Sequence, residues 1–244
     1  MSVWVISDFH LSLSAPFQPG EAPKLYKPMD VFGCGWTRHV ERLYQNFQAE
    51  VAPADAVFLP GDLSWAMTLA EGAHDFAFLG GLPGQLLLSK GNHDYWWETK
   101  AKSQQAMPGN VTLLQNEAFL TEGLAVAATR GWYCPGSADF DADAAKIYRR
   151  ELLRLEMALN DAVKKEQTAG GTYERVVMLH FPPVNDKRDY NEMIELMQNY
   201  HVSRCYFGHL HGVKTDFALT GEHWGIEFAL ISSDYLGHKP LKIK

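Results

Sequence analysis

Eight residues with metal-binding side chains stand in five short clusters: Asp8 and His10, Asp62, Asn92 and His93, His180, and His209 and His211. Carboxylate and imidazole suit a borderline divalent transition metal at about 2.0–2.2 Å. Two such ions held side by side activate water and neutralise the charge of an in-line displacement. The donor set therefore reads as a two-metal hydrolytic site.

Something must carry these residues to one place across about two hundred positions. Each cluster follows a short apolar run, at residues 3–7, 56–60, 85–90, 175–179 and 204–207. Short runs rich in Val, Leu, Phe and Ile, each bounded by a turn residue, read as buried strands. In open α/β sheets ligands sit beyond the carboxyl ends of strands. Strand side chains alternate with period two, so Asp8 and His10 are expected on one face, as are His209 and His211. Phe9 and Leu210 would then point into the core. Gly61 and Gly91 permit a sharp turn and close backbone approach before Asp62 and Asn92. Pro182 and Pro183 end the run that carries His180.

Between the runs lie helical patterns. Residues 37–51 carry Val40, Leu43, Tyr44, Phe47 and Val51 at spacings of three and four, a core-facing helix. Weaker helices are expected over 69–79 and 98–106, and another over 191–200. A long one runs to about Thr168, with Leu152, Leu155, Leu159 and Val163 as its stripe and Gly170-Gly171 as its stop. Asp139, Asp141 and Asp143 precede it, where a helix N-terminus favours negative charge. Further strands are expected at 111–114, 118–120, 124–129 and 224–231, the first two around a turn at Gln115-Asn116. Residues 13–28 form a long loop beside the first cluster. No linker is visible, so residues 1–244 are expected to form one domain.

The chain has 244 residues, 46% hydrophobic and 21% charged, ordinary for a soluble globular protein. Its formal net charge is −7, which disfavours duplex nucleic acid as a partner. Three unevenly spaced cysteines imply reduced thiols and not a disulfide framework. No signal peptide and no apolar stretch of membrane-spanning length is visible. A cytoplasmic location without membrane partners is the expectation.

Each fragment is common alone, but the five in this order are specific. Asp8-x-His10, Gly61-Asp62, Gly91-Asn92-His93-Asp94, His180 and Gly208-His209-x-His211 together resemble the calcineurin-like metallophosphoesterases. The resemblance spans residues 8–211. It implies an α/β fold, a four-layer αββα sandwich of two mixed β-sheets flanked by helices, with the metals at strand ends. It implies two divalent cofactor ions, Mn²⁺ favoured, although the ligands suit Fe, Zn, Co or Ni as well. Asp8, His10 and His211 would hold one ion, Asn92, His180 and His209 the other, and Asp62 would bridge. His93 would stay off the metals as the catalytic acid toward the leaving group. Adjacency agrees, because neighbouring side chains such as those of Asn92 and His93 diverge. A bridging hydroxide would attack phosphorus in a small phosphomonoester or phosphodiester.

One departure narrows the substrate class. Phosphoprotein phosphatases of the superfamily follow Gly-Asp with Tyr-Val-Asp-Arg-Gly. Here Leu63-Ser64-Trp65 follows Asp62, lacking the second acid and the arginine, so a small-molecule phosphatase or phosphodiesterase is expected. A nuclease is the enzymatic alternative and would want a basic groove. A non-catalytic metal-binding scaffold is the other, yet no ligand has been lost. Asp94 is expected to cap the following helix or orient His93. Arg130 could bind phosphate or form a structural ion pair. Lys187 and Arg188 are expected to be solvated, and Trp96 and Trp97 to pack in the core.

Overall fold

The computed structural model describes residues 1–244, the Val213 side chain excepted. Among the described residues the strands form two mixed sheets. The first has the order β11-β1-β2-β3-β4: Leu241–Lys242, Val3–Val5, Ala56–Pro60, Gln85–Ser89 and Val111–Leu113. Its members run parallel except β11. The second has the order β5-β6-β7-β8-β10-β9: Glu117–Thr121, Leu124–Thr129, Glu174–Leu179, Val202–Phe207, Ile226–Leu230 and Gly221–His223. Only its edge strands, β5 and β9, are antiparallel.

Period-two alternation builds the layers. Val3, Val5, Ala56, Phe58 and Leu87 face Leu124, Val126, Ala128, Val176 and Met178 in a core between the sheets. The intervening residues Trp4, Val57, Leu59, Leu86 and Leu88 pack outward with α1 (His39–Glu50) and α2 (Ala73–Gly80). On the far side Ala125, Ala127, Val177, Leu179 and Cys205 pack under α4 (Ala142–Ala169) and α5 (Glu192–Asn199). A shorter helix, α3 (Lys100–Gln105), lies beside β4. The arrangement is the expected four-layer αββα sandwich.

Helix ends follow local chemistry. Asp141 caps α4 by accepting from Asp143 N and Ala144 N, and Gly170 ends it at φ 67°. That is the capping role expected of the acidic trio, carried by its middle member. Asn191 caps α5 in the same way. Cys134 and Cys205 are buried free thiols and Cys34 an exposed one. No helix is long and apolar enough to cross a membrane among the described residues.

The turn at Gln115-Asn116 falls between β4 and β5 as expected; β4 belongs to the first sheet and β5 to the second, so it carries the chain across the sandwich. One expectation changes. Asp94 caps no helix, since Thr99 caps α3. Instead its buried carboxylate accepts from Asp62 N, Leu63 N, Gly91 N and Trp96 Nε1 at 2.8–3.0 Å. It pins the Gly61–Ser64 turn against the loop after β3.

Candidate active site

The metal-type residues gather where β1, β2, β3, β7 and β8 end. Their convergence comes from left-handed backbone and not from strand alternation, because β1 stops at Val5. Asp8, His10, Asp62 and His209 have φ of 61°, 47°, 53° and 70°. Non-glycine residues seldom adopt this conformation, and it clusters where function holds it in place. Hydrogen bonds hold it here: Asp8 N donates to Gly61 O and His10 N to Asp62 O, each at 3.0 Å. His209 N donates to the Asp8 carboxylate at 3.1 Å. Ser233 Oγ donates to Asp8 O.

The glycines serve closeness. A Cβ on Gly91 would sit 2.1 Å from Asp62 Oδ1 and one on Gly61 would sit 2.6 Å from Gly91 N. The two loops are thus packed backbone to backbone, and only hydrogen fits between them.

Two donor groups result. Asp8, His10 and His211 each bring a ligand atom within 4.8 Å of the others, and so do Asp62, His180 and His209. Two ligands at about 2.1 Å from one ion lie roughly 3.0–3.4 Å apart at octahedral or tetrahedral angles. His211 Nε2 lies 3.3 Å from Asp8 Oδ1 and 3.3 Å from His10 Nε2. In the second group His180 Nε2 lies 3.4 Å from Asp62 Oδ2 and 2.8 Å from Asn92 Oδ1. Asp62 Oδ2 also lies 3.8 Å from His10 Nε2, so it stands between the groups.

The outer nitrogens show which inner atoms are free. His180 Nδ1 lies 3.1 Å from Pro60 O and His211 Nδ1 2.8 Å from Asp234 Oδ1. A proton shared there leaves each Nε2 lone pair pointing inward, the usual arrangement behind a metal-bound imidazole. These donors fit two divalent ions.

Electrostatics agree. Burial opposes the charge of Asp8, but His211 and His180 hold its carboxyl well below the usual range. Asp62 is likewise buried and likewise held low, by His180 and His10. Burial pushes His10 and His209 down to about 3, which keeps them neutral and able to ligate. Burial also works against charge on His211, yet Asp8 and Asp234 push it up to about 10. The two buried carboxylates draw a cation, and a proton on His211 serves when no metal does.

His93 belongs to neither group. Its backbone N donates to Asp62 Oδ1 at 2.8 Å, and its ring lies 4.3 Å from the Trp65 ring. Burial lowers its pKa. Trp65 also stacks on His10 at 4.9 Å, and Trp36 lies edge-on to His10 and His211. Lys27, from the long early loop, covers the Trp65 ring at 3.1 Å. These aromatic walls and Asp234 had no motif to mark them.

The secondary residues divide. Trp96 and Trp97 are buried, as expected. Arg188 is exposed and donates to Asp216 O and Phe217 O. Arg130 pairs with buried Glu151 at 3.4 Å. His238 is buried, 2.9 Å from Gly35 O, and its ring lies near Trp36 and His39. His223 is exposed on β9.

A family model described as calcineurin-like phosphoesterase matches residues 1–213. The chain belongs to that family and is a hydrolase of phosphate esters. Two crystal structures share its fold. The protein of unknown function AQ665 from Aquifex aeolicus is 14% identical with a TM-score of 0.51. Phosphopantetheinyl hydrolase from Mycobacterium tuberculosis is 15% identical, also with a TM-score of 0.51. Each match covers 99% of this chain and 95% of the other. No curated protein sequence shows significant similarity to the chain.

Proposed function

We propose that the chain is a dinuclear metal-dependent phosphoesterase for a small phosphomonoester or phosphodiester, with Mn²⁺ as the favoured ion. The observation that carries this reading is the pair of three-donor groups, Asp8 with His10 and His211 and Asp62 with His180 and His209, in which Asp62 Oδ2 lies near a histidine of each, with His93 left over. Asp8, His10 and His211 would hold one ion, Asn92, His180 and His209 the other, and Asp62 would contribute to both. When bound, the ions supply Lewis acidity and a water acidic enough to be deprotonated near neutral pH.

The protein does the rest. The two buried carboxylates leave the loaded site positive, which draws in a phosphate dianion. Asp62 fixes the His93 backbone through one oxygen while its other oxygen faces the donor groups. Trp65 keeps the His93 ring from swinging away. His93 then gives a proton to the leaving oxygen. Its lowered pKa rises again once the phosphate's charge stands beside it.

A cavity of about 460 Å³ runs outward from His209 and is lined by Tyr133, Pro182, Val184, Leu210, Phe217 and Leu219 among others. This mixed, partly apolar space suits the organic part of a small ester better than a nucleic-acid strand.

The test is hydrolysis of an aryl phosphate and a bis-aryl phosphodiester with added Mn²⁺. Turnover of either, abolished by EDTA, is expected. Inertness to both across several divalent metals would overturn the reading.

A further inference from the structure

A second cavity, of about 310 Å³, opens at the edge of the sandwich where β3, β4 and β6 end beside α4. Among the described residues, none of the metal-type residues lines it. It neighbours the metal centre all the same: Lys90 precedes Gly91-Asn92, and Arg130 O accepts from His180 N at 3.0 Å.

Its charge is unlike that of the chain. Lys90, Arg130, Arg150 and Arg154 line it against Glu98 and Glu151 alone, in a protein of net charge −7. Glu151 is fully buried and spent on its neighbours. One oxygen lies 2.6 Å from Arg154 Nη1 and 3.4 Å from Arg130 Nη2, and the other accepts from Thr129 Oγ1 at 3.1 Å. It aligns two guanidinium groups without using up their donors. Lys90 Nζ is steered the same way by Trp97 O at 3.2 Å.

Unsatisfied donors complete the picture. The Ser89 hydroxyl, Trp97 Nε1 and Arg130 Nε are buried without a hydrogen-bond partner, and all three residues line this cavity. Ser89 is 3% exposed and Trp97 5%. Buried polar groups are almost always paired, so three orphans around one basic cavity point to a missing acceptor. An N–H or O–H donor set backed by guanidinium forks matches an oxyanion.

We propose that this cavity is a second anion site, distinct from the metal centre, that binds a phosphate-type oxyanion. The proposal stands on the cavity and does not rest on the phosphoesterase reading. The oxyanion arrives either as free phosphate or on a small organic molecule.

The test is calorimetric titration of the metal-loaded protein with inorganic phosphate and, separately, with phenylphosphonate, which is not a phosphate ester. The wild type is expected to show a binding event that Arg154→Gln weakens tenfold or more. Ser89→Ala, which removes only the unpartnered hydroxyl and keeps the rest of the side chain, is expected to weaken the same event. Any event at the metal centre survives both changes, and an unchanged metal content shows that both variants fold. Tighter binding of phenylphosphonate assigns the site to a carried oxyanion, and tighter binding of phosphate to the free ion. No event sensitive to either substitution with either probe would overturn the proposal, even if the protein proves to be an active phosphoesterase.

Discussion

His211 Nδ1 lies 2.8 Å from the Asp234 carboxylate, whose other oxygen accepts from Gly212 N at 3.1 Å. Asp234 thereby orients the imidazole and raises its basicity without facing the metals. Asp234→Ala should weaken the ion proposed for Asp8, His10 and His211 by about 10- to 100-fold. Metal titration of the purified variant checks this, and unchanged affinity for both ions would remove Asp234 from the site.

The same contact sets a proton balance. The metal-free His211 is raised to about 10, so it carries a proton at neutral pH. That proton stabilises the metal-free fold fully below the unfolded histidine value of about 6.5, and the gain is lost as pH rises through about 10. A metal must displace it. Loading at pH 7 should release about one proton per chain from His211, measurable by calorimetry in buffers of different ionisation enthalpy. A release no smaller in His211→Asn than in the wild type would refute the assignment.

His93 should be separable from metal binding. His93→Ala is expected to retain two ions by elemental analysis and to lose about 10²- to 10⁴-fold in turnover. Loss of an ion in that variant would make His93 a ligand.

Close packing of the Asp62 and Asn92 loops predicts an outcome for one methyl group. Gly91→Ala places a Cβ against Asp62 Oδ1. The loops must part, so melting should show a loss of about 2–3 kcal/mol, with metal content falling alongside. A variant with wild-type stability and metal content would mean that the loops yield freely.

Asp75 offers a pH test away from the metals. It is fully buried, accepting from Leu13 N at 2.8 Å and Ser64 Oγ at 2.5 Å, and burial pushes its carboxyl up to about 6. The folded state therefore holds a proton that the unfolded chain gives up near 3.9. Stability from this group is full below the unfolded value and declines as pH rises through 6. Asp75→Asn should melt progressively higher than wild type between pH 4 and pH 7, by up to about 3 kcal/mol. A pH-independent difference between the two proteins would count against burial as the cause.

Much of this was legible from residue order. The apolar runs marked the central strands to within a residue or two because a buried strand needs unbroken apolar sequence. The eight metal-type residues were legible because their chemistry is scarce and each follows such a run. Asp234 was within reach of the same rule, since Ser232-Ser233-Asp234 follows β10, but a lone Asp carries no spacing signal. Trp36 and Trp65 were not, because any aromatic residue reads first as core. Nor was the left-handed backbone at Asp8, His10 and His209, which distant hydrogen bonds impose. The role of Asp94 was misread for a related reason: its partners at Asp62 and Leu63 lie some thirty residues back.

The His10 and His211 nitrogens that face each other are separated by 201 positions. A chain still emerging from the ribosome with only its first four site strands has two half-built donor groups, one lacking His211 and the other lacking His209. Synthesis proceeds at about 5–20 residues per second, so His10 waits about 10–40 seconds for His211. On the proposed assignment, neither donor group is whole until residues 209–211 have been made, so metal acquisition is an event that follows their synthesis.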